Sequence, residues 1–294
     1  MANGILTTSV QLPESLSTEI FSTVQEESAI MQLSTRVALP GNGAEIPVVT
    51  GDPEAHFVGE GENATVSNSS LDIKHMHPYK LVVIETFSNE FRDNASAIYE
   101  ELSNRLPGAI AKKIDATIAN GTAPGTNFDV LSAAETVNIG DKTYDAFVDA
   151  IDKVATAEGD LNGWILTPKA RTILLKAKDK QDRPLFITNP ATEGKNGGSS
   201  VLAIPSVFSR GVYAAKVASK TPEVVGLAGD WSGARFGIAK DITITMADQA
   251  SLEISSKQVN LFQAGMFALK CEFSCGFVVR NQAQFVRLVN GTSA

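Results

Sequence analysis

Three histidines, two cysteines and a loose group of carboxylates are the residues of this 294-residue chain whose types and spacing could carry chemistry. His75 and His77 stand two apart in the run HMH, so on a strand their imidazoles share one face, which is how a metal site can begin. His56 is the third histidine, but no further ligands at useful spacing complete a shell, and the pattern argues against a metal. Cys271 and Cys275 lie in FALKCEFSCGF, where Phe267, Leu269 and Phe273 alternate with Ala268, Lys270, Glu272 and Ser274. That period puts both thiols on the apolar face of one strand, their Cα atoms about 13 Å apart and beyond disulfide reach. A nucleophilic cysteine needs exposure and a neighbouring base, so these two read as core thiols. Gly59-Glu60-Gly61 lacks the strand-turn-helix setting of a dinucleotide loop, Gly197-Gly198 reads as flexible loop, and no phosphate-loop lysine pattern occurs. Asp129, Glu135, Asp141, Asp145, Asp149 and Asp152 gather round one helical region, as a solvated face does. No catalytic site and no cofactor follow from these residues.

The elements that must position them are organised around one stretch, Asn94 to Asn120. Its apolar residues Ile98, Leu102, Leu106, Ile110, Ile114 and Ile118 recur every four positions, so the stripe winds about 40° per step and meets different partners along the helix. At about 1.5 Å per residue the helix spans on the order of 40 Å. Asn94 can cap its start and Asn120-Gly121 can stop it. Pro107 removes one interior hydrogen bond, which predicts a bend in a single helix.

Before this helix, residues from Pro13 carry Leu16, Ile20, Phe21, Val24 and Ile30 at helical spacing, with Ser15 or Ser17 as caps. Residues 36 to 87 change character: strands at Glu45 to Val49, His56 to Val58 and Leu71 to Lys74 are joined by the polar run GEGENATVSNSS. A two-stranded excursion of this kind is marginal alone. With no evident surface for it in the chain, it is expected to lie on a neighbour. Tyr79 to Phe87 is apolar enough to predict a buried strand. After the long helix, a helix over Tyr144 to Ala157, a strand over Gly163 to Leu166 and a helix from Pro168 predict an α/β lobe over 124 to 235. The turn-rich segment 188 to 200 reads as mobile loop, and the last sixty residues as strands, with Ile242, Ile244 and Met246 on one face.

Composition narrows the role. An apolar content of 43% is ample for a core, and the net charge of −8 without a basic run argues against a surface that grips phosphates. No stretch approaches 18 consecutive apolar residues, so no membrane span is expected. A soluble, unsecreted protein is expected.

In this order the stretches PESLSTEIFSTVQEESAIMQL, PVVTGDPEAHFVGEGENATVSNSSLDIKHMHPYKLVVIETFSNEFRDN, IAKKIDATIANGTAPG, GWILTPKARTILLKAKDKQDRPLF, GDWSGARFGIAKDITITM and NLFQAGMFALKCEFSCGFVVRNQAQFVRL resemble the major capsid proteins of tailed phages. The resemblance implies an α+β protein of the Hong Kong 97-type capsid fold, with a long spine helix, an extended β-ribbon loop, a peripheral domain and an axial domain. It implies an N-terminal arm and short helix over 1–40, the extended loop over 41–84, and the spine-helix part of the peripheral domain over 85–123. The axial domain would cover 124–235, and 236–294 would complete the peripheral domain with the C-terminal strands. The expected role is structural and not enzymatic: self-assembly into hexamers and pentamers that form the icosahedral head of a double-stranded DNA phage. An encapsulin-type nanocompartment and an enzyme built on the α/β lobe are the competing readings.

Residues expected to serve assembly are Glu60, Glu62 and Asn63 in the extended loop and Pro107 in the spine. Expected partners are other copies of the chain, a portal, a decoration protein where one exists, and a separate scaffolding protein: the scaffolding segment with which many relatives begin is not seen here, which implies either such a protein or a processed form, and Met1 favours the former. DNA would be enclosed without sequence-specific binding and without a membrane. The place of the protein would be the virion capsid, after synthesis in the bacterial cytoplasm. Relatives that cross-link covalently join a loop lysine to an asparagine of an adjacent subunit. Here no lysine lies between Gly51 and Ile73, and Lys74 already stands on the returning strand.

Overall fold

The computed structural model describes residues 14–49, 55–58, 63, 71–90, 95–140, 143–178, 183, 199–217, 222–254 and 257–291. Two helices open it, α1 (Glu14–Glu27) and α2 (Ala29–Leu33). They are followed by β1 (Thr35–Ala38), the antiparallel ribbon β2 (Ala44–Val49) and β3 (Leu71–Met76), and β4 (Tyr79–Ser88). The long helix α3 (Ala95–Asn120) runs through Pro107 without a break. Its stripe is buried at Leu106, Ile110, Ile114 and Ile118. Next come β5 (Glu135–Asn138), α4 (Thr143–Thr156), β6 (Gly163–Leu166), α5 (Pro168–Lys176), β7 (Ser199–Val201), β8 (Ile204–Phe208) and β9 (Glu223–Gly229). The chain closes with β10 (Ala234–Ala247), the hairpin β11 (Ser251–Ile254) and β12 (Lys257–Asn260), β13 (Met266–Val279) and β14 (Phe285–Asn290).

Two sheets organise these strands. In the first, of order β1-β10-β13-β4, β10 and β13 pair antiparallel over most of their length. Its inner face, with Phe236, Phe273 and Phe277, packs with Ile20 and Val24 of α1 and the stripe of α3 in one core. In the second, of order β5-β14-β9-β6-β8-β7, Trp164, Val225 and Leu288 pack with Phe147 and Val154 of α4 in another. Phe147 and Trp164 meet with ring centroids 4.8 Å apart.

Several expectations change on contact with the fold. The first helix is two helices, because Ser28 leaves helical geometry and caps α2, its hydroxyl accepting from Met31 N–H at 3.3 Å. Ser15 and Ser17 lie inside α1 and do not precede it. Residues 56–58 form no strand. Tyr79–Ser88 is not buried but half exposed, because it is an edge strand whose outer face leaves Val82 and Ile84 in solvent. The segment 236–294 does not stay with one sheet: β14 crosses to the lobe and pairs with β9 and β5. Besides the expected arm and short helix, 1–40 contributes β1, which pairs parallel with β10 from Thr35↔Arg235 to Ala38↔Ile238. The cap at Asn94, residues 1–13 and 188–198 lie outside the described residues.

Candidate assembly surfaces

The most heavily bonded polar group in the core is one that sequence reasoning passed over. Asp115, in the second half of α3, is completely buried. Its Oδ1 accepts from Ser28 Oγ at 2.7 Å and Ile30 N at 3.4 Å, and its Oδ2 from Ser209 Oγ at 2.6 Å and Ala29 N at 3.2 Å. One carboxyl thus ties the α1–α2 break, the long helix and the loop after β8. That loop comes close: a Cβ on Gly211 would stand 2.6 Å from Asp115 Cβ. Burial pushes the carboxyl above its ordinary value, against the pull of Ser209, Ser28 and the two backbone donors. A signal was present in the sequence, because Asp115 sits four residues from Ala111 and from Ala119, in a row of otherwise small apolar side chains.

The ribbon is anchored where the sequence offered no surface for it. Leu39, Met76 and Val278 form a small core at its base, with Ala44 and Ile46 packed against it. Gly237 and Gly276 make room for this seat, since a Cβ at either would stand within 2.8 Å of the Met76 side chain. Lys74 Nζ donates to Asp129 Oδ2 at 3.3 Å and to the Val279 carbonyl at 2.8 Å. Farther out, Val48 is still buried but Ile73 is exposed, and Phe57, Val58 and Asn63 project into solvent. Glu60 and Glu62 lie outside the described residues. Pro107 is buried in α3, next to Gly108, whose Cβ position lies 3.0 Å from Glu27 Oε2 at the end of α1.

The remaining candidates have structural surroundings. His75 faces Glu45 across the ribbon at 3.7 Å, and His77 meets the Tyr79 ring edge-on at 5.8 Å. Among the described residues no three histidines, cysteines or carboxylates gather as a metal site. Cys271 and Cys275 are buried free thiols, pushed up to about 12 by desolvation, at Cys271 also by the charges of Glu272 and Glu85. Of the carboxylates of 129–152, Asp129 joins the ribbon base, Val279 N donating to its Oδ2 at 3.0 Å, and Glu135 pairs with Lys153 at 2.8 Å on the surface. In the lobe, Glu223 gathers Lys169, Tyr213 and Asn290, and these bonds outweigh its burial and hold it below the usual carboxylate range.

Over residues 8–290 the sequence matches the model of the Phage capsid family. The "Probable major capsid protein gp17" of Mycobacterium phage L5 is 28% identical over 290 residues, covering 92% of this chain and 87% of the relative. The "Major capsid protein" of Staphylococcus phage 80alpha is 26% identical over 287 residues, covering 95% and 84%. A solved chain of Gordonia phage Cozz superposes with a TM-score of 0.71 at 24% identity, over 90% of this chain and 87% of that one. With the family model matched across both sheets, the ribbon and the long helix, the chain belongs to the phage capsid family.

Proposed function

We infer that this chain is the major capsid protein of a tailed double-stranded DNA phage, assembling as hexamers and pentamers into the icosahedral head. The observation that carries the reading is the family match over residues 8–290. The anatomy supports it: a body of two sheets on a long helix holds a ribbon seated at its base, beyond which Ile73, Phe57 and Val58 are exposed. Closed shells are built from many modest contacts repeated by symmetry, and projecting elements supply them. On this reading the protein resides in the virion capsid, is made in the bacterial cytoplasm and performs no chemistry on a substrate. Glu60, Glu62 and Asn63 belong to the intersubunit contacts of the loop, and Pro107 to the bend of the spine. A portal, a scaffolding protein and decoration proteins are its further partners. The net charge of −8 suits a container for DNA, because a wall that gripped phosphates would hinder filling and ejection.

The test is electron microscopy and sedimentation of the chain, expressed alone and with a scaffolding protein of a relative. Closed shells of uniform diameter are expected. A chain that stays monomeric in both preparations at high concentration overturns the reading.

A further inference from the structure

Between the start of β4, the second half of α3 and the 122–128 loop, the subunit holds a cleft of about 290 Å³. A cavity of about 150 Å³ already takes benzene, so this one has room for a phenyl ring and a short tail. Leu81 on β4, Ile114 on α3 and Phe128 on the loop give it apolar walls. Among the described residues no aspartate or glutamate lines it, although acidic residues outnumber basic ones 33 to 25 in the chain. Two lysines do line it, Lys80 and Lys113, both exposed. Lys113 immediately precedes Ile114 on α3, and among the described residues no carboxylate pairs with it. The cleft is therefore apolar within and cationic at its open side.

The loop wall is set by the subunit's own bonds. Tyr79 Oη donates to the Thr126 carbonyl at 2.6 Å, and His77 N donates to the Asn127 carbonyl at 3.1 Å. Gly125 lies so close to the Tyr79 ring that a Cβ there would overlap it. Phe128 meets the same ring edge-on, with centroids 5.9 Å apart, and its other neighbour is the buried Phe277. A wall that is already ordered adds little cost to binding, and an apolar pocket with a few convergent polar groups is the usual form of a small-molecule site.

We propose that this cleft binds a small aromatic carboxylate, its ring among Leu81, Ile114 and Phe128 and its carboxylate against the Lys113 ammonium. Burial of the ring supplies most of the affinity, and the charge-assisted hydrogen bond decides which tail is accepted. A neutral tail leaves the ammonium to water, and a cationic tail meets a like charge.

The test titrates the full-length chain, as free subunits, with three probes that share one ring and differ in the tail: 3-phenylpropionate, 3-phenylpropan-1-ol and 3-phenylpropan-1-amine. Calorimetry should show saturable binding of the acid with a Kd of about 1 mM or tighter, about tenfold weaker binding of the alcohol, and weaker binding still of the amine. Lys113→Gln should lower the affinity for the acid to that for the alcohol and leave the alcohol unchanged, a split that a merely structural role of Lys113 would not produce. Thr117→Trp, at a half-buried cleft position on α3, should fill the space and abolish binding of all three. Its melting temperature, measured alongside, shows whether the variant is folded, and the Lys113→Gln titration decides the matter if it is not. No saturable binding of the acid, an amine that binds as well as the acid, or a folded Thr117→Trp chain that still binds overturns the proposal. None of these outcomes bears on whether the wild-type chain forms shells.

Discussion

A carboxyl group sealed inside a protein must be met by donors or give up its charge. Asp115 does some of both: four donors converge on it, yet burial still raises its pKa above the ordinary 3.8. A raised folded-state value means that the group's contribution to stability is complete below pH 3.8 and is lost as pH rises through the folded value. Asp115→Asn, which cannot ionise, should therefore gain stability relative to wild type as pH rises above 3.8 in parallel thermal melts. A constant difference between the two chains would show that the carboxyl titrates normally. Asp115→Leu instead strands the Ser28 and Ser209 hydroxyls and the N–H groups of Ala29 and Ile30, and should lose about 3 kcal/mol or more. At this scale the two cysteines were legible, because a period-two strand fixes the face of every side chain on it. Asp115 was legible only as a lone carboxylate in a row of small apolar side chains, because its donors lie 85 to 94 positions away, which no local pattern predicts.

Elements were legible where a period runs long and weakly legible where the partner decides. The long helix and strands β10 and β13 follow from their own spacing, but the apolar run of β4 predicts burial only if both of its edges and faces are covered. Sheet order put it at an edge. Likewise β14 follows directly after β13 in sequence, with a single 3₁₀ turn at Gln282–Gln284 between them, yet pairs in the other sheet. That crossing binds the lobe to the body through the last strand of the fold. Within α3, Pro107 occupies the one interior position that cannot donate to the helix ladder, and it is buried beside the end of α1. Pro107→Ala returns a hydrogen bond of about 1 kcal/mol and removes the ring's clash with the preceding turn. The expected outcome is an altered particle diameter or closure by microscopy, with little change in subunit melting. Particles of unchanged size and yield would remove Pro107 from the assembly machinery.

For the whole molecule the question is what holds a shell of such subunits together once it has closed. A covalent link between loops needs a lysine amine that reaches an acceptor on the next subunit, and the loop offers none between Gly51 and Ile73. The nearest, Lys74, is engaged at home: its ammonium bonds Asp129 and the Val279 carbonyl at the root of the ribbon, on the strand that enters the body. The thiols offer no substitute, since both are buried in the core of the first sheet and pushed up to about 12, leaving almost no thiolate to exchange. Stability of the assembled particle must then come from non-covalent contacts between subunits, apolar burial and charge pairing among them. Charge pairing at exposed positions weakens with salt, whereas burial of apolar surface does not. Particles boiled in detergent without reductant should therefore release a single band at 31.2 kDa. The same particles in molar salt should loosen and not fall apart, because the apolar part of each contact persists. A ladder of multiples on the gel would show that Lys74 leaves Asp129 in the shell and that the root of the ribbon rearranges on assembly.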